Sequence, residues 1–131
     1  MATAVLTDFR QRHRGPVIDA EDAGYDPARL TFNGMIDRRP ELIVRPLDVD
    51  DVVSAVSLAR ERDLPVAVRG GGHSVAGHCI GEGGLVVDLR LMRSVSVDPE
   101  AGTATCGGTP PACVTALRPR AEPSVTPASA G

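Results

Sequence analysis

Ten consecutive residues hold the chemistry-bearing types of this chain: Arg69-Gly70-Gly71-Gly72-His73-Ser74-Val75-Ala76-Gly77-His78. Three glycines follow the apolar run Leu64-Pro65-Val66-Ala67-Val68 and precede a histidine. Glycine admits φ > 0 and leaves no Cβ between a ligand and the main chain. Successive bare N–H groups in such a turn form an anion-binding concavity. A strand ending in this loop predicts a phosphate-bearing ligand held by backbone, with His73 projecting towards it. Arg69, at the strand end, either faces phosphate or is solvated. Ser74 and Gly77 either contact phosphate or shape the loop, and His78 reads as a loop residue.

The common phosphate loops do not fit. A G-x-G-x-x-G pattern from Gly70 would need glycine where Val75 stands, and no Gly-Lys-Ser/Thr run exists. Without further context, the glycines are a tight turn and His73 a carbonyl-bonded loop histidine. A zinc set of His73, His78, Cys79 and Cys106 lacks any C-x-x-C pair, so no metal site is expected. A hydrolase reading of His73 and Ser74 fails because adjacent residues rarely reach the needed geometry and no G-x-S-x-G elbow exists. Asp88 reads as a polar strand end.

The elements that must position this loop are legible in part. Residues 1–15 form a polar N-terminal segment, helical or frayed, with Leu6 and Phe9 on one face. Asp26-Pro27 reads as N-cap and first helical position. Glu41–Arg45 is a short strand. Val49, Val52, Val53, Val56 and Ala59 follow helical spacing and predict a helix over 49–63 with that face buried. Acids crowd its start and arginines its end, as the helix dipole favours. The strand, this helix and the strand Val66–Arg69 make a β-α-β unit with parallel strands. The glycine loop then lies at the carboxyl edge, where open α/β sheets bind ligands. Leu85–Leu89 is a third strand. Val95–Asp98 and Thr103–Cys106 form a hairpin around Pro99-Glu100-Ala101-Gly102.

Composition sets the class. The chain has 131 residues, and its 14 basic and 17 acidic side chains leave a net charge of −3. The arginines are scattered among acids, so no nucleic-acid footprint is expected. No run approaches the roughly 18 apolar residues of a membrane span. Met1–Arg14 has no basic region followed by an apolar one, so no signal peptide is expected and the setting reads as cytoplasmic. Arg38-Arg39 lies too far inside for a twin-arginine signal. Cys79, Cys106 and Cys113 are an odd set, which argues against a disulfide framework and for reduced thiols.

Residues 65–74 and Gly83-Gly84-Leu85-Val86-Val87-Asp88-Leu89-Arg90-Leu91-Met92 together resemble a known family. It is the N-terminal, PCMH-type FAD-binding part of the FAD-linked oxidases of the berberine-bridge-enzyme and 6-hydroxynicotine-oxidase type. The resemblance extends back through Tyr25-Asp26, Phe32-Asn33-Gly34 and Arg39–Pro46, and forward to Val95–Asp98 and Cys106-Gly107-Gly108. It covers roughly residues 16–108. It implies FAD as cofactor, its pyrophosphate wrapped by the backbone of Gly70, Gly71 and Gly72, with Arg69, Ser74 and Gly77 alongside. It also implies a covalent bond from His73 to the flavin 8α carbon, which needs a neutral imidazole nitrogen. The implied fold class is α/β (α+β): a small parallel β-α-β subdomain, then the start of an antiparallel one. The implied reaction moves a hydride from a C–H next to oxygen or nitrogen to the flavin, with dioxygen as acceptor. Sugars, alcohols or alkaloid-like amines are the implied substrates, and the catalytic base is expected outside this chain.

From Thr109 the character changes. Residues 109–131 hold five of the eleven prolines and five alanines, without period 2 or 3.6. This stretch reads either as a linker or, given the abrupt break, as the product of a shifted reading frame. The expectation is therefore a C-terminally truncated FAD-binding module, with no catalytic residue of its own. The alternatives are a non-catalytic remnant and a split subunit completed by a second chain.

Overall fold

The computed structural model describes residues 3–108. The expectations for 109–131 lie outside the described residues. Helix α1 (Thr3–Arg12) leads into strand β1 (Val17–Asp19) and helix α2 (Tyr25–Arg29). Strand β2 (Leu42–Val44), helix α3 (Val49–Glu61) and strand β3 (Val66–Arg69) follow. After the glycine loop come β4 (Leu85–Asp88), a single 3-10 turn (Leu89–Leu91), and strands β5 (Val95–Asp98) and β6 (Thr103–Cys106).

The main sheet has the order β1-β2-β4-β3. β2 and β3 are parallel, as the β-α-β reading requires, but β4 lies between them and is parallel to both. β1 runs antiparallel to β2 along one edge. β2 and β4 read Leu-Ile-Val and Leu-Val-Val-Asp because both of their faces are covered, which favours continuous apolar runs. Side chains still alternate. Leu42, Val44, Leu85 and Val87 pack with Phe9 of α1 and with Ala55, Leu58 and Ala59 of α3. Ile43 and Val86 point the other way, against Tyr25, Ala28 and Ile80. The aromatic anchors of the two clusters, Phe9 and Tyr25, both come from the first part of the chain.

Three local expectations are corrected. α2 begins at Tyr25 with Gly24 as N-cap, so Asp26 sits in the first turn and accepts a hydrogen bond from Arg29. α3 ends at Glu61 and turns a different face inward: Asp51, Ala55, Leu58 and Ala59 are buried, while Val49, Val53 and Val56 are exposed. The reason is Asp51, whose carboxylate accepts hydrogen bonds from the backbone of Arg14, Gly15 and Leu47 and thereby fixes the helix rotation. Asp48 caps the same helix, accepting from the Asp51 N–H at 3.0 Å. Cys79 is buried and free, but Cys106 is disulfide-bonded, against the expectation of reduced thiols. The β5–β6 hairpin forms as expected. Asp98 accepts from the backbone of Glu100 and Ala101 in its turn.

Candidate functional site

The glycine loop leaves the sheet at the carboxyl end of β3. There Arg69 closes β3, Asp88 closes β4, and Arg45 follows the last residue of β2. Three parallel strands thus deliver charged side chains to one edge. Asp88 is 0% exposed and is the hub. It accepts from Arg90 Nε at 2.8 Å and Nη2 at 2.6 Å, and from Arg45 Nε at 3.2 Å. Arg69 Nη1 lies 4.0 Å away. Burial alone would raise the Asp88 pKa, but the Arg90 hydrogen bonds and the surrounding guanidinium charge outweigh it and hold the carboxyl below its ordinary value. Among the described residues, one carboxylate thus faces three guanidinium groups at this edge.

Arg69 is turned inward. It is 1% exposed, and Nη1 donates to the Ala28 carbonyl of α2 at 2.7 Å. The Cys79 thiol is a further neighbour. Burial pulls the Arg69 pKa down from its ordinary value, and the Asp88 charge opposes that pull. The side chain therefore ties the loop's root to α2 and sits beneath the loop instead of reaching out of it.

Gly72 adopts φ +75° and Gly77 φ +74°, the left-handed region where side chains are strained. At Gly71 a different constraint acts. A Cβ there would come within 2.7 Å of His73 Cδ2, so the imidazole lies folded across bare backbone. His73 itself is exposed. Ser74 shapes the loop: its Oγ accepts from the His78 N–H at 3.1 Å, and its carbonyl accepts from the Gly77 N–H at 3.1 Å. Gly70, Gly71, Gly72, His73, Ser74 and Gly77 therefore share one continuous loop over the basic edge, with exposed His78 beyond Gly77. Among the described residues, no group of three or more His, Cys, Asp or Glu could hold a metal ion.

Sequence reasoning missed the second half of the site. Asn33 Nδ2 donates to the Val75 carbonyl at 2.9 Å. Arg38 Nη1 donates to the Gly77 and Ile80 carbonyls at 3.1 and 2.9 Å. The segment 32–38 thus clamps the far side of the loop. Arg45, Asp88 and Arg90 were missed as well. An acid closing an all-apolar strand, with arginine two residues on, was the available signal.

Residues 40–111, more than half of the chain, match the family model described as the FAD binding domain. The chain is similar to (R)-6-hydroxynicotine oxidase of Paenarthrobacter nicotinovorans, 39% identical over 95 residues, which are 72% of this chain and 21% of the relative. It is similar in structure to BBE-like 1 of Physcomitrella patens, with a TM-score of 0.70 and 30% identity over 76% of this chain and 22% of the other. The glucooligosaccharide oxidase of Acremonium strictum, with a 6-S-cysteinyl, 8α-N1-histidyl FAD, superposes with a TM-score of 0.72 at 26% identity. That likeness covers 82% of this chain and 23% of the other. The chain spans about a fifth of the length of these relatives. No helix among the described residues is long and apolar enough to cross a membrane. On the length and specificity of these matches, the chain belongs to the FAD-binding domain family of the FAD-linked oxidoreductases, and its cofactor is FAD.

Proposed function

We propose that Gly70, Gly71, Gly72, Ser74 and Gly77 cradle the FAD pyrophosphate, and that His73 bonds covalently to the flavin. The observation that carries this is the loop itself. An exposed imidazole, laid where a Cβ on Gly71 would meet it at 2.7 Å, stands on a backbone turn at the carboxyl edge of parallel strands. The residues fit the cofactor. Backbone N–H groups suit phosphate oxygens, and the guanidinium groups of Arg45, Arg69 and Arg90 gather around Asp88 at the same edge. Arg69 contributes through that buried charge and by anchoring the loop's root.

In the attachment, one bond forms between an imidazole nitrogen of His73 and the 8α carbon. The imidazole N–H proton and one 8α hydrogen are lost, and dioxygen accepts two electrons and two protons to become hydrogen peroxide. When bound, FAD supplies the capacity to accept a hydride. The protein to which this domain belongs is an oxidase acting on a C–H next to oxygen or nitrogen, in the cytoplasm, with dioxygen as acceptor. Sugars, alcohols and alkaloid-like amines are its substrate classes.

The test is direct. Purified chain is incubated with FAD, denatured, and read for flavin fluorescence on the polypeptide band. The chain retains fluorescence, and His73→Ala loses it while keeping reversible FAD binding. Fluorescence retained by His73→Ala assigns the bond to another residue and overturns the reading.

A further inference from the structure

Phe32 has no part in the site as described so far, yet it stands beside the residue that matters most. It is 74% exposed, and its ring centroid lies 5.8 Å from that of His73 with the planes tilted by 57°. A large apolar ring left in solvent forfeits most of its burial energy, so its position calls for another cause.

The segment that carries it is held with unusual care. Asn33 Nδ2 reaches the Val75 carbonyl, while Asn33 Oδ1 accepts from the Met35 N–H at 3.1 Å. Thr31 Oγ1 and the Ile36 N–H both donate to the Asn33 carbonyl, each at 3.0 Å. Ile36 packs where a Cβ on Gly77 would come within 2.8 Å of its Cγ2. Arg38 closes the far end on the Gly77 and Ile80 carbonyls. Phe32 is therefore placed against the loop through backbone ties that do not involve its own side chain. His73 has bare Gly71 on one side and the Phe32 ring on another.

We propose that Phe32 is a positioning residue for flavin attachment, confining the His73 imidazole to the orientation laid across Gly71. This rests on the reading of His73 as the attachment residue. The nitrogen lone pair lies in the imidazole plane, so ring orientation decides whether it can meet the 8α carbon. Reactions between bound groups are sensitive to such alignment. A tilted aromatic pair of this kind is worth enough to change the population of an aligned rotamer by about tenfold.

Two measurements on the full chain test it. In the first, covalent FAD incorporation is timed by fluorescence of the denatured band, with reversible FAD affinity measured in parallel. Phe32→Ala slows incorporation by about tenfold with affinity changed less than about twofold, and Phe32→Tyr restores the rate. In the second, which needs no flavin, the His73 ring protons are followed by NMR. They carry a ring-current shift in the parent chain that Phe32→Ala removes and Phe32→Tyr keeps. Incorporation at the parent rate in Phe32→Ala overturns the proposal, as do His73 ring protons unmoved by that substitution. Covalent flavin surviving in His73→Ala, or absent from the parent, instead overturns the attachment reading. The NMR result then still decides whether Phe32 orients His73.

Discussion

Asp88 shows how much a single residue can carry without touching a ligand. Its carboxylate ends the central strand, is wholly buried, and is bonded by Arg90 and Arg45 with Arg69 close by. Asp88→Asn keeps the shape and removes the charge, leaving Arg69 buried without its counter-ion. Breaking a buried pair in this way costs about 3 kcal/mol, to be read as a fall in the urea midpoint of unfolding. The pH dependence has a definite sign. The folded pKa lies below the ordinary 3.8, so the contribution is present above that value and is lost as pH falls through the lower folded one. The local sequence carried only part of this role, the arginine two residues on. Arg90 lies two residues along the chain, but Arg45 and Arg69 converge on it only because β2, β3 and β4 end at the same edge. The placing of the glycines and His73 together in the loop after β3 was legible, because the pattern is local: an apolar run, three residues without Cβ, then an imidazole. Arg69 was half legible. Its place at the end of β3 follows from the apolar run before it, but its inward turn depends on the Ala28 carbonyl, 41 residues away.

At the scale of elements, α3 carries the clearest lesson. Its span could be read from apolar spacing, but its rotation could not. The largest apolar stripe, Val49, Val53 and Val56, faces solvent, because small residues let the helix approach the sheet and Asp51 must reach the backbone of Arg14, Gly15 and Leu47. Accordingly Val53→Ser, on a side chain 59% exposed, changes stability by no more than about 0.5 kcal/mol. Ala55→Leu, fully buried, overpacks the helix–sheet contact and costs about 1–3 kcal/mol, with urea unfolding as the common readout. The joint between α1 and α3 adds a pH response. Buried His13 stacks on Phe9, its Nδ1 lies 3.3 Å from Ser54 Oγ and 3.7 Å from Asp51 Oδ1, and its Nε2 has no hydrogen-bond partner among the described residues. Burial lowers its pKa below 6.5, with the Asp51 and Asp48 charges opposing. The unfolded chain therefore binds the proton first. Stability is full above 6.5 and declines as pH falls from that value towards the folded one. Urea midpoints between about pH 7 and pH 5 will show that decline, and His13→Gln will flatten it.

At the scale of the whole molecule, the parallel arrangement of β2 and β3 followed from the β-α-β pattern, whereas the strand order did not. β4 inserts between them through pairings such as Leu42 with Leu85, and no local period encodes a register of that range. Among the described residues β3 is an edge strand with Val66 and Val68 exposed, and Val97 is exposed on the hairpin. Unpaired edges of this kind invite association. The basic edge, the loop and the 32–38 clamp nevertheless form one assembly within about a fifth of the length of the relatives. The central claim is that this assembly holds FAD through the loop and His73. It is tested most directly by incubating the chain with FAD, digesting it with trypsin and locating the flavin by mass spectrometry with fragmentation. The account predicts flavin on the peptide 70–90, with the fragments assigning it to His73 and not to His78. Flavin on His78 or any other peptide, or a chain with no affinity for FAD, contradicts it.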